Sequence, residues 1–178
     1  MTIAPKQTTV GFIGLGVMGH SMAGNIRNAG YSLHVYTRTA SKAERLVADG
    51  AVWHDTPAKL AQACDVIITM VGYPKDVEEL YLEPEGLVAH AREGTYLIDM
   101  TTSSPLLARR IYEAASSKGL HAMDAPVSGG DVGAREARLS IMIGGEEGDV
   151  RAVKPLLSTM GSNIVHQGQA GAGQHTKM

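Results

Sequence analysis

The chain is predicted to fold as an α/β domain built on a doubly wound, mostly parallel sheet, and three observations predict it. Short apolar runs recur along its 178 residues, amphipathic stretches of helical period separate them, and glycines or prolines mark the changeovers. The first run, TVGFIG (9–14), passes through a glycine-rich turn into a helix over Met18 to Ala29, where Met18, Met22 and Ile26 repeat at i, i+4 and Gly30 suits a left-handed cap. YSLHVY (31–36), DVIITMV (65–71), TYLIDM (95–100) and LHAMDA (120–125) follow as strands, the more apolar of them suited to positions covered on both faces. Before the last of these lies the best-marked helix, with Ser104 as N-cap, Pro105 in the first turn, Leu107, Ile111 and Ala115 on one face, and Lys118 and Gly119 at its end. RLSIMIGG (138–145) alternates like a strand with one solvated face. DVRAVKPLLSTMG (149–161) reads as a helix in which Pro155 is expected to impose a kink or a restart.

Composition removes several function classes. Sixteen basic residues against eighteen acidic ones leave a net charge of −2, with no basic stripe to follow a phosphate backbone, so nucleic acid is not an expected partner. No run approaches the ~20 apolar residues that span a bilayer, so no membrane partner is expected either. The opening MTIAPKQTT lacks the apolar centre of a signal peptide, and a cytoplasmic location is expected. Cys64 stands alone, which excludes an intrachain disulfide and suits a buried, inert thiol. The seven histidines include no pair at ligand spacing, so no metal is expected.

The strongest local motif is GFIGLGVMG, where Gly14, Gly16 and Gly19 form G-x-G-x-x-G between a strand and a helix, the pattern of a Rossmann-type dinucleotide site. Gly14 permits the tight turn, Gly16 lets the backbone approach a pyrophosphate, and Gly19 lets the helix pack closely. Leu15, Val17 and Met18 complete the loop whose N–H groups face the anion. Cofactor choice is read at VYTRTASK (35–42), where an NAD site usually carries an acid for the ribose hydroxyls. Thr37 stands there instead, followed by Arg38 and Thr39, with Ser41 and Lys42 beyond. Charge and hydroxyl donors of this kind meet a 2′-phosphate, so NADP is expected over NAD.

Three further stretches, DMTTSSP (99–105), DAPVSGG (124–130) and GAGQHTK (171–177), stand in register with the glycine loop. Together the four motifs resemble the signatures of the β-hydroxyacid dehydrogenase family, which includes 3-hydroxyisobutyrate dehydrogenase, tartronate semialdehyde reductase and 6-phosphogluconate dehydrogenase. The resemblance covers Val10 to Met178. It implies hydride exchange between a nicotinamide and a small β-hydroxyacid or its semialdehyde, with Lys177 handling the hydroxyl proton. Ser128, Gly129 and Gly130 match the family's substrate loop, and Thr102 matches the threonine beside the nicotinamide ribose. Val71 and Val77, where the third strand ends, match the region that covers the adenosine side. Gly173, one turn before Lys177, is expected to leave space for ring and substrate.

The family continues past this lysine into an all-helical domain through which its homo-oligomers assemble. The chain is therefore expected to be the cofactor-binding part of a longer enzyme, inactive alone, with a Rossmann-like domain at residues 1–166 and the start of an interdomain helix at 167–178. A single terminal helical turn is expected to fray, leaving residues 165–178 poorly ordered and Lys177 unplaced. The alternative reading is a non-catalytic dinucleotide-binding module that acts as a sensor or partner-binding piece.

Overall fold

A computed structural model describes residues 2–178. In chain order the elements are β1 (Thr9–Ile13), α1 (Val17–Asn28), β2 (Ser32–Tyr36), a 3₁₀ turn running into α2 (Glu44–Ala48), β3 (Val52–Trp53), α3 (Pro57–Ala63), β4 (Val66–Thr69), α4 (Pro74–Leu82), α5 (Leu87–His90) and β5 (Tyr96–Asp99). They continue with α6 (Pro105–Ser116), β6 (His121–Asp124), β7 (Val127–Ser128), α7 (Gly130–Arg135), β8 (Leu139–Gly144), α8 (Glu147–Leu157), β9 (Gly161–Gly168) and α9 (Ala172–Lys177). The sheet order is β3-β2-β1-β4-β5-β6-β8-β7, with β9 added beside β8. The first six strands are parallel, β8 runs antiparallel to β6 and β7, and β9 pairs with β8 in parallel.

Period-2 alternation of the central strands builds two cores, one on each face. Val10 and Phe12 of β1, Val66 and Ile68 of β4 and Ile98 of β5 face α1 and α8, where Met22, Ile26, Val153 and Leu156 are fully buried. Ile13, Ile67, Leu97 and Ala122 face the opposite way, onto Leu60 of α3, Val77 and Tyr81 of α4, Leu87 of α5 and the Leu107–Ile111–Ala115 stripe of α6. Each fully buried aliphatic or aromatic side chain contributes roughly 1.5–3 kcal/mol, so the two layers lock the strand ends on which the site is built. On the second face α3 lies against β1 so closely that a Cβ at Gly11 would meet Leu60 Cδ2 at 2.5 Å and Cys64 Sγ at 2.9 Å.

The helix caps follow the sequence. Ser104 Oγ accepts from the Leu107 N–H at 3.1 Å with Pro105 in the first turn, and Thr56 Oγ1 accepts from the Lys59 N–H at 3.2 Å ahead of Pro57. Pro155 does not restart its helix: α8 runs unbroken from Glu147 to Leu157. Proline sits two residues from the end, so only the donor to the Arg151 carbonyl is lost. β9 escapes a pattern-based reading because it is an edge strand of mixed sequence, GSNIVHQG, exposed at most positions and held through the backbone of β8. It continues through residue 166 to Gly168, so the boundary expected after residue 166 falls within a strand.

Candidate functional site

The chain winds outward from β1 to β2 and β3, then returns to β4 on the other side, so the strand order reverses between β1 and β4. Ligands of open parallel sheets bind in the crevice beyond the carboxyl ends at such a reversal. A cavity of about 660 Å³ opens there, lined by Gly14, Leu15, Gly16, Met18 and Gly19 from the first loop and by Met70, Val71 and Gly72 after β4.

Each glycine of the loop is required for a different reason. Gly14 adopts φ +100°, and a Cβ there would strike the Met70 carbonyl oxygen. A Cβ at Gly19 would strike the Gly14 carbonyl oxygen, so α1 approaches its own entry loop as closely as a side-chain-free residue allows. Gly16 differs from both: no protein atom lies within 4 Å of the place where its Cβ would be, and its φ is an ordinary −68°. Its missing side chain serves no contact within the protein and leaves open space at the N-terminus of a twelve-residue helix. The first-turn N–H groups of α1 face that space without an intrahelical partner. This combination fits a pyrophosphate.

At the end of β2, Thr37 is buried, and its Oγ1 accepts from the Leu15 N–H at 3.4 Å, tying the second strand to the glycine loop. Arg38, Thr39 and Lys42 line the same cavity. The Arg38 guanidinium is mostly exposed and pairs at 2.9 Å with Asp76, which also accepts from the Tyr73 N–H at the start of α4. Asp76 is an acid on the β2 side of the crevice, beside Arg38, Thr39 and Lys42, and no sequence motif singles it out. Its signal was an aspartate two residues after Pro74, a common first-turn cap. Val71 lines the cavity, whereas Val77 is fully buried in the second core beside Tyr81 and does not. Val17 projects into solvent from the first turn of α1.

Of the residues expected at the reacting end, two meet, although none of them lines this cavity. Lys177 Nζ donates to Ser128 Oγ at 2.8 Å, joining two residues forty-nine positions apart. Gly129 and Gly130, at φ +137° and +62°, shape the turn after Ser128. Thr102 is exposed between two buried neighbours, Thr101 and Ser103.

The C-terminal turn is formed as α9 and Lys177 is placed, where an unplaced lysine was expected, and buried groups hold the turn. Asp124, at the end of β6, accepts from the Gly171 N–H at 2.8 Å and from the Gln174 N–H at 2.9 Å, capping α9 with both carboxylate oxygens. Burial pushes this carboxyl above its usual range, against the pull of those N–H groups. Gln174 is wholly buried and bonds to the 101–103 loop. Gly173 leaves no open space: a Cβ there would strike the Met142 carbonyl oxygen and lie 2.9 Å from that of Asp124. It permits close packing of α9 on the sheet.

Between these two regions lies a buried polar chain. Tyr81 Oη and Thr69 Oγ1 share a hydrogen bond at 2.7 Å, Thr69 Oγ1 donates to Asp99 Oδ1 at 2.9 Å, and the same oxygen accepts from the Thr101 N–H at 3.1 Å. Burial pushes the Asp99 carboxyl up to about 6, although these donors favour its ionised form. Among the described residues no group of three or more His, Cys, Asp or Glu could hold a metal, and no helix is long and apolar enough to cross a membrane.

Residues 9–168 match the family model of the NAD binding domain of 6-phosphogluconate dehydrogenase. An uncharacterized oxidoreductase of Bacillus subtilis is 59% identical over 170 residues, which cover 96% of this chain and 59% of that protein. A probable 3-hydroxyisobutyrate dehydrogenase-like protein of Arabidopsis thaliana is 47% identical over 99% of this chain and 53% of its own length. Among solved structures, the 3-hydroxyisobutyrate dehydrogenase of Mycobacterium tuberculosis with L-serine superimposes with a TM-score of 0.90 at 37% identity, covering 96% of this chain and 57% of that one. The chain spans little more than half the length of the relatives it matches.

Proposed function

The chain belongs to the β-hydroxyacid dehydrogenase family through its NAD-binding domain, and from that premise we propose that it is the cofactor-binding half of an NADP-dependent oxidoreductase. The reaction moves a hydride between the nicotinamide and a small β-hydroxyacid or its semialdehyde, and this half binds cofactor but does not turn over alone. The observation that carries the reading is the 2.8 Å contact between Lys177 and Ser128. It supports the reading because it brings the amine proposed to handle the proton to the hydroxyl proposed to hold substrate, beyond the carboxyl ends of the strands.

The cofactor supplies the hydride donor or acceptor. Lys177 Nζ takes the hydroxyl proton during oxidation and returns it to the carbonyl oxygen during reduction. Ser128, with the backbone N–H groups of Gly129 and Gly130, holds the substrate carboxylate. At the far end, Arg38 meets the 2′-phosphate with Thr39 and Lys42. Asp76 competes for the same guanidinium, so NADP preference rests on the phosphate displacing an existing ion pair.

Calorimetric titration of the 178-residue chain with NADPH and, separately, NADH tests this. NADPH is expected to bind more tightly. Arg38→Ala is expected to weaken NADPH about tenfold, the scale of one charge-assisted contact, while leaving NADH within about twofold. Equal weakening of both, or tighter NADH binding in the unaltered chain, would reject the NADP assignment.

A further inference from the structure

We infer that Gln174 is a positioning residue that couples the cofactor crevice to the helix bearing Lys177. The inference rests on the function proposed above and adds to it a residue with no direct contact to the reacting atoms.

The side-chain amide of Gln174 is wholly buried, and both of its polar atoms are hydrogen-bonded. Its Nε2 donates to the Thr101 carbonyl at 2.8 Å, and its Oε1 accepts from the Ser103 N–H at 2.8 Å. The two partners fix the orientation of the amide, since a carbonyl requires the NH₂ and an N–H requires the oxygen. These bonds grip the backbone on both sides of Thr102. From there the connection reaches the crevice: Thr101 Oγ1 accepts from the N–H of Val71, a residue lining the cavity, at 3.0 Å, and the Thr101 N–H donates to Asp99. In the other direction the Gln174 backbone N–H donates to Asp124, and Lys177 follows three residues later on α9.

The side chain thus ties two strand ends to the lysine helix, β5 through the 101–103 loop and, by way of Thr101, β4 through Val71, while the backbone N–H of the same residue holds β6 through Asp124. A shorter or apolar residue at 174 breaks the tie without touching the glycine loop or Ser128. The amide is the side-chain route by which a ligand that orders the Val71 loop reaches α9.

The test is amide hydrogen exchange on the 178-residue chain with and without saturating NADPH, alongside a binding titration. In the unaltered chain, nucleotide is expected to slow exchange of amides 174–178 by tenfold or more. Gln174→Leu should bind NADPH within about threefold of the unaltered chain yet lose that slowing. Gln174→Glu supplies a signature that a purely structural role would not give. Its protonated acid donates and accepts as the amide does, and burial favours that form, so the slowing should persist near pH 5 and vanish near pH 8. Gln174→Leu should show no slowing at either pH. Nucleotide-dependent slowing retained in Gln174→Leu, or absent from an unaltered chain that binds NADPH, would overturn the coupling alone. Failure of the unaltered chain to bind nucleotide would overturn the proposed function, and this inference with it.

Discussion

Gly16→Val is expected to lower NADPH affinity by about a hundredfold or more while leaving the fold within about 1 kcal/mol of its original stability. The two effects separate because of where the missing side chain lies. No protein atom stands within 4 Å of a Cβ at this position, and its backbone is in a region any residue adopts, so the only thing a larger residue displaces is a ligand at the helix N-terminus. Gly19→Val makes the opposite case. Its Cβ meets the Gly14 carbonyl, so it should cost roughly 3 kcal/mol of stability, and any loss of affinity follows from a disturbed loop. Urea unfolding and calorimetry on both variants check the contrast. A Gly16→Val protein that binds NADPH normally would remove the pyrophosphate from this loop.

Asp99→Asn is expected to change stability in a way that depends on pH. The folded-state value of about 6 lies above the ordinary 3.8. Well below the ordinary value of 3.8 the carboxyl is protonated in both states and weighs on neither. As pH rises from 4 through 6 the unfolded chain releases its proton first, so stability falls, levelling off above 6. Each factor of ten in proton affinity is worth about 1.4 kcal/mol, which makes the full loss about 3 kcal/mol. Asparagine keeps an acceptor for Thr69 and Thr101 and carries no charge to bury, so it lacks this slope. The stability of Asp99→Asn relative to the unaltered protein should therefore rise by about 3 kcal/mol between about pH 3 and about pH 7 in denaturant titrations. A difference that stays constant across that range would mean that folding does not raise the proton affinity of Asp99.

Much of this architecture was legible in the sequence, for identifiable reasons. The central strands announce themselves because both faces are covered, so β1, β4 and β5 read as apolar runs, and α6 announces itself through Ser104 and Pro105. β3, β7 and β9 do not, since two-residue bridges and an exposed edge strand are set by backbone pairing and leave little pattern behind. In the site, the glycines could be read from spacing because each meets a local steric demand. Asp76, Thr101 and Gln174 could not. Their partners lie 38, 30 and 71 residues away, at Arg38, Val71 and Ser103, and nothing in the local sequence records such a pairing. Gly173 was legible as a residue that must be small, but the reason lay in the carbonyls of Met142 and Asp124 beneath it.

Cys64, wedged with Leu60 over Gly11, gives the molecule a built-in clock. It is the chain's single thiol and wholly buried, and burial aided by the neighbouring Asp65 charge pushes it up to about 12. At neutral pH a thiol reagent meets neither a thiolate nor an open path until α3 lifts from β1, so the labelling rate measures how often that layer opens. Because β1 feeds the glycine loop, any molecule that grips the loop should lengthen the wait, and occupancy can be followed as a delay in the colour of a bulk assay.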